Sequence, residues 1–203
     1  MWIQPVTLRG RFVRLEPMEP RHAPDFLTAA DPELYRHTVQ HPPEWTVAGF
    51  EKEIATVVAM PHSVAFAIVL ESTGKAIGRS TLMDIKPEHR GVEIGRTWIT
   101  RPMHGTMVNP EVKLLMLRHV FEEISPPAIR VQLTTGSTNK HSQRAIAKLG
   151  AVREGELRDS RIVTPRDPTQ PQEIRGTIYF SILAAEWAGV KRGLEERLAK
   201  FEA

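Results

Sequence analysis

The chain has 203 residues, of which 41% are hydrophobic and 25% charged, enough to bury one sizeable core; this length leans toward a single domain spanning residues 1–203. It contains no cysteine, which excludes a disulfide scaffold, a thiolate nucleophile and a cysteine-ligated metal, and fits a reducing compartment. A formal charge of +3, with Lys and Arg interspersed among Asp and Glu, leaves no polybasic run, so nucleic acid is not an expected partner and an anionic small ligand is easier to accommodate. The opening MWIQPVTLRGRFVRLEP has no apolar core followed by a cleavage site, and no apolar stretch approaches membrane-spanning length; the expected location is the cytoplasm, with no membrane partner.

In chain order, RFVRL (11–15) alternates as a short strand, and PRHAPDFLTAA (20–30) has helical spacing with its prolines in the first turns. TVAGFEKEIATVVAM (46–60) offers Thr46 as a cap ahead of apolar Val47, Phe50, Ile54, Val57 and Val58. SVAFAIVL (63–70), AIGRSTLMDI (76–85) and GVEIGRTWIT (91–100) predict three strands joined antiparallel by short turns. A helix is expected from about Asn109 to Ile124, then a β-branched strand, IRVQLTT (129–135). STNKHSQRAIAKLGA predicts a helix ended by Gly150, EGELRDSRIV and EIRGTIYFSILAAEW two more strands, and AAEWAGVKRGLEERLAKF a charged amphipathic tail helix. TPRDPTQPQ (164–172) reads as a mobile tip. Antiparallel strands followed by one strand-helix-strand-helix unit predict a mixed sheet with helices on its faces.

The segments VEIGRTWI, VQLTTGSTNKHSQRAIAKLGAVREGELR and TIYFSILAAEW together resemble the GCN5-related N-acetyltransferase (GNAT) superfamily, in particular its RimJ/RimL-like branch. The most specific portion is Asn139-x-x-Ser142 followed by AIAKLGA and EGELR. The resemblance implies an α/β GNAT fold: a mixed, mostly antiparallel sheet of about seven strands with a splayed central parallel pair. It also implies an acetyl-CoA-dependent N-acyltransferase that passes the acetyl group directly to a primary amine, a protein or peptide N-terminus or a small molecule. A catalytically inactive module that uses the fold to sense a ligand or build an assembly is the alternative, supported by a turn poor in glycine.

That turn is HGTMVNPEVK (104–113), which lies between a strand and a helix where the resemblance places the coenzyme A pyrophosphate. The family pattern of a basic or amide residue, a glycine and a small residue falls on His104, Met107 and Asn109, and none matches. Any helix N-terminus still offers unsatisfied N–H groups to an anion. Asn109 is the expected cap, Gly105 the flexible point, Thr106 and Val108 the intervening backbone, and Met107 either crowds the phosphates or turns into the core. By resemblance, pantetheine pairs with free backbone near Trp98, Ile99 and Thr100, and Asn139 bonds the cofactor amides. Arg144 and Lys148, four apart on one helix face, either meet the adenosine phosphates or face solvent.

Acetyl transfer to an amine needs a base, donors for the oxyanion and a proton for the leaving thiolate. Glu93 is the candidate base; its other reading is an edge-strand carboxylate pointing to water or paired with Arg96. Ser142 matches the serine beside the sulfur in the RimL-like branch, though a first-turn serine is also a common backbone partner. Tyr179 is the second hydroxyl, or a core aromatic. Glu154 and Glu156 lie nearby in sequence on the substrate side. His37 and His41 are four apart, but the prolines after His41 break the helix that would align them, so no metal site is expected. His104 and His141 flank the presumed cleft. By resemblance, Trp2 and Leu34–Trp45 line the acceptor pocket. Late strands in this fold can pair across a two-fold axis, so a homodimer is possible, while TIYFSIL equally suits a buried central strand.

Overall fold

The computed structural model describes residues 2–35, 38, 40–163 and 171–201. His37 of the paired histidines and residues 164–170 of the expected tip lie outside the described residues.

Among the described residues eight strands form one sheet, where about seven were expected: β1 (Leu8–Arg9), β2 (Val13–Pro17), β3 (Val64–Leu70), β4 (Ala76–Lys86), β5 (Gly91–Ile99), β6 (Arg130–Gly136), β7 (Val152–Val163) and β8 (Glu173–Leu183). Their spatial order is β1-β2-β3-β4-β5-β6-β8-β7. The extra strand arises because Leu8–Arg9 folds back on Arg14–Leu15, so the expected strand at residue 11 begins at Val13. All neighbouring pairs are antiparallel except β5 and β6. β8 lies inside the sheet, as a buried TIYFSIL requires, and leaves β7 as the exposed edge.

Strand β3 shows why the sheet sits centrally. Its alternate residues Val64, Phe66 and Ile68 enter one apolar cluster, and Ala65, Ala67 and Val69 enter another on the opposite face. The alanines leave room for the rings of Phe26, Tyr35, Phe50 and Trp98, which pack edge-to-face or tilted with centroids 5.1 to 6.5 Å apart. That second face is covered by α1 (Ala23–Ala29) and α2 (Val47–Val58), the latter capped by Thr46 Oγ1 accepting from the Gly49 N–H at 3.1 Å. Residues 20–30 are not one helix: a 3-10 turn over Pro20–His22 precedes α1.

The first face carries α3 (Val108–Arg118) and α5 (Trp187–Ala199). The helix expected to run to Ile124 stops as α-helix at Arg118 and continues as a wider π-helical turn, His119–Glu123, which directs Phe121 onto Trp187 at 5.6 Å. The last strand ends at Leu183, and the Ala184–Glu186 turn comes before α5. The short helix α4 (Lys140–Ala147) follows β6 and stops at Ala147, three residues short of the expected end at Gly150, whose φ of +91° suits glycine in the turn that follows.

Candidate active site

The parallel pair is bonded only at its lower end, through Gly91–Arg130, Val92–Val131 and Glu93–Gln132. Beyond Glu93 the two strands separate. The cause is a bulge in β5: register runs from Thr81–Gly95 to Arg79–Trp98, so Arg96 and Thr97 together oppose Ser80. Arg96 takes the left-handed conformation, φ +50°, that turns the chain there. The resulting cleft opens between the N-terminal ends of α3 and α4, where the rings of His104 and His141 stack with centroids 6.0 Å apart.

The turn 104–109 retains the chemistry of an anion cradle without its glycines. Gly105 has φ +78°. The backbone N–H groups of Gly105, Thr106, Met107 and Asn109 have no partner among the described residues, and that of Val108 has only the Thr106 hydroxyl at 3.3 Å. These donors stand at the positive end of the α3 dipole. Met107 packs against the apolar cluster on the first face, so its side chain leaves the cradle clear. Asn109 is not the cap: the helix starts one residue earlier, the flanking position is Met107, and the side chain that bonds the first turn is Thr106.

Glu93 is buried, 6% exposed, at the base of the cleft. Its carboxylate accepts from Gln132 Nε2 and Thr134 Oγ1, each at 2.7 Å, on the face that also carries Trp98. It is neither an edge carboxylate nor an ion-pair partner of Arg96, because β6 lies alongside and supplies neutral donors instead. Tyr179 is the cross-strand partner of Thr134, half-buried, and lines a depression of about 420 Å³ with Arg130 and Glu154–Leu157.

Comparison with known proteins decides the assignment. Residues 13–152 match the model of the acetyltransferase (GNAT) domain. The chain belongs to the GNAT acetyltransferase family. A candidate acetyltransferase from T. thermophilus is 38% identical over 98% of this chain and 100% of its own, with a TM-score of 0.86. A GCN5-related N-acetyltransferase from Brucella melitensis is 25% identical over 98% and 87%, with a TM-score of 0.86. Mycobacterium smegmatis RimJ, solved with CoA-disulfide, shares the fold at 20% identity over 95% and 94%, with a TM-score of 0.75. No curated protein matches the chain. The protein is an acetyl-CoA-dependent acyltransferase.

Against this GNAT frame, the positions read from sequence divide. Asn139 caps α4, its Oδ1 accepting from the Ser142 N–H at 3.1 Å, while its amide nitrogen and the Ser142 hydroxyl have no partner among the described residues. The Thr100 N–H is not free, because it bonds the Ile77 carbonyl of β4 at 2.8 Å; the Ile99 carbonyl is met by His104 Nε2 at 2.8 Å. Trp98 lies wholly among the apolar residues of the second face. Arg144 and Lys148 are solvent-exposed on α4. Trp2 is separated from Tyr35 and Trp45: it packs on the opposite face of the sheet, and its Nε1 donates to the Pro126 carbonyl at 2.8 Å.

Two groups escaped the sequence reading, and a third, Arg96, entered it only as a partner for Glu93. Lys113 of α3 is 6% exposed, donates to Thr97 Oγ1 at 2.9 Å, and burial lowers its pKa to about 7. Its signal was a lysine inside the apolar run VKLLML. Arg79, 1% exposed, meets Glu53 at 2.9 Å beneath Tyr35, whose hydroxyl donates to Glu53 at 3.2 Å. Burial raises the Glu53 pKa against the opposing pull of Arg79. Arg96, half-buried at the bulge, donates to Gln40 Oε1 at 3.1 Å.

Proposed function

We propose that residues 1–203 act as one catalytic domain of the RimJ/RimL-like branch, transferring acetyl directly to a primary amine of a protein or peptide N-terminus or a small molecule. The observation that supports this most is the splayed cleft, which has free N–H donors at one end and a buried, hydrogen-bonded carboxylate at the other. When bound, acetyl-CoA supplies the activated thioester. Gly105, Thr106, Met107 and Asn109 would hold its phosphates through backbone N–H groups, and Asn139 would hold its amides through the side-chain nitrogen left free by capping.

Glu93 takes the ammonium proton, directly or through one water, and Gln132 and Thr134 fix its orientation. The Ser142 hydroxyl gives a proton to the departing sulfur, with Tyr179 as the second hydroxyl on the acceptor face.

The test is calorimetric titration with acetyl-CoA, followed by thiol-release assays over a panel of amines. Glu93→Gln should leave acetyl-CoA binding intact and lower kcat by about 100-fold or more, the usual scale for a general base. Asn139→Ala should weaken binding. Absence of saturable acetyl-CoA binding at millimolar concentration, or full activity in Glu93→Gln, would refute this assignment.

A further inference from the structure

The acceptor side of the cleft is unusually rich in guanidinium groups. Arg79 and Arg96 both donate to Gln40, to its carbonyl at 3.2 Å and its Oε1 at 3.1 Å, and the charge of Arg161, exposed on β7, also acts on Arg96. Burial is the larger influence on Arg96 and lowers its pKa, the two arginines lower it further, and only Glu93 opposes them. Arg79 is neutralised locally by Glu53. Arg96 and Arg161 form no ion pair among the described residues, and Arg96 spends a single Nε–H on the neutral amide of Gln40. Glu93, whose charge acts on Arg96, makes no ion pair with it and accepts one hydrogen bond on each oxygen, from Gln132 and Thr134, which leaves further lone pairs open.

Placing a half-buried cation beside two others costs free energy that Glu93 offsets only in part. The backbone aggravates this cost, since Arg96 occupies a left-handed conformation in which most side chains are disfavoured. The bulge that opens the cleft and the unpaired guanidinium are the same residue. On β7, a second register irregularity between Leu157 and Arg161, with Asp159 at φ +48°, redirects the outer half of the strand that carries Arg161.

We infer that Arg96, assisted by Arg161, receives a carboxylate carried by the acceptor, so that the acceptor is an amine that is also an acid. This rests on the acetyl-transfer reading above. Glu93 and Arg96 are three residues apart on one strand, at most roughly 10 Å at a strand's rise per residue. They offer a negative site for the ammonium and a positive site for the acid, in the order in which an amino acid or an acidic peptide terminus presents them. A planar guanidinium whose two terminal nitrogens have no partner among the described residues matches a carboxylate in two parallel hydrogen bonds. A polyamine, cationic along its length, would meet Arg96 and Arg161 with repulsion.

The experiment compares glycine, β-alanine and γ-aminobutyrate with their methyl esters and with alkylamines of equal length, alongside a peptide beginning with Glu and its Gln counterpart. The proteins are wild type, Arg96→Gln, Arg96→Lys and Arg161→Gln, each checked for acetyl-CoA binding by calorimetry. Acid-bearing acceptors should be preferred by about 10- to 100-fold in kcat/KM, mostly through KM, the range of a lost charge-assisted contact. Arg96→Gln should flatten the preference, Arg96→Lys restore part of it, and Arg161→Gln reduce it. Preference for the free acid or for the Glu peptide supports the inference equally and names the source of the carboxylate. Amines used equally with and without the acid, or a preference that survives Arg96→Gln, overturns it. If no amine is acetylated, calorimetric titration of the same acids into the protein decides. Saturable binding lost in Arg96→Gln upholds the anion site while the acetyl-transfer reading falls, and binding absent from wild type, or equal in both proteins, overturns the site.

Discussion

Lys113→Met should make the protein more stable, by an amount that depends on pH. The Lys113 ammonium is 6% exposed, has no carboxylate partner among the described residues, and gives one hydrogen bond, to Thr97. Burial lowers its pKa from 10.5 to about 7. The unfolded chain therefore keeps this proton to higher pH than the folded one, so unfolding takes up a proton between about pH 7 and 10.5 and stability rises with pH across that window. Below about 7 both states are protonated and the penalty is at its largest; above 10.5 both are neutral and it is gone. At about 1.4 kcal/mol per pH unit, the window corresponds to an upper bound of about 5 kcal/mol. Methionine fills a similar volume without the charge, and Thr97 keeps its bond to Ser80 at 2.7 Å. Urea unfolding of both proteins from about pH 6 to 10 should show the variant a few kcal/mol more stable at the acid end, with the gap closing toward the alkaline end, on the order of the linkage above. Subtracting one curve from the other cancels the titration of other groups. A gap that is constant with pH, or a wild type that is the more stable at the acid end, would refute the assignment of a buried, strained ammonium.

Glu111 gathers the N–H groups of Arg11, Phe12 and Val13 at 2.7 to 2.8 Å and so ties the β1–β2 turn to the helix that bears the anion cradle. Glu111→Ala should cost about 3 kcal/mol or more, as buried donors to a charged acceptor are abandoned, and should lower the melting temperature measured by calorimetry. At Gly78, a Cβ would fall 2.2 Å from the Trp98 carbonyl oxygen, so Gly78→Ala should push β4 from β5, destabilise the fold and weaken acetyl-CoA binding in parallel; unchanged binding in a folded variant would contradict the close approach. For Glu16, burial opposes ionisation, but bonds from Arg14, Arg21 and His22 outweigh it and hold the carboxyl at about 2. Its contribution is present above about pH 4.5 and lost as pH falls toward 2, so Glu16→Gln should be less stable than wild type at about pH 5 and converge with it in acid unfolding.

What the sequence determined by itself was local. Strand-like runs bounded by short turns placed β3, β4 and β5, and Thr46 announced the start of α2, because each depends on residues within a few positions of one another. The motif from Asn139 through EGELR was legible for the same reason. The tertiary structure decided everything that depends on which strands become neighbours. Glu93 was left between an edge carboxylate and a base until β6 was placed beside it with Gln132 and Thr134. Met107 was ambiguous until the apolar cluster claimed its side chain, and Trp2 moved to the other face because the sheet stands between it and Tyr35. The bulge follows Gly95, a glycine inside a strand, but that its left-handed turn falls on Arg96 is visible only from the register against β4. Side-chain type can be read from one strand at a time, whereas register, splay and the company a buried charge keeps are properties of strand pairs, and only the assembled sheet fixes those.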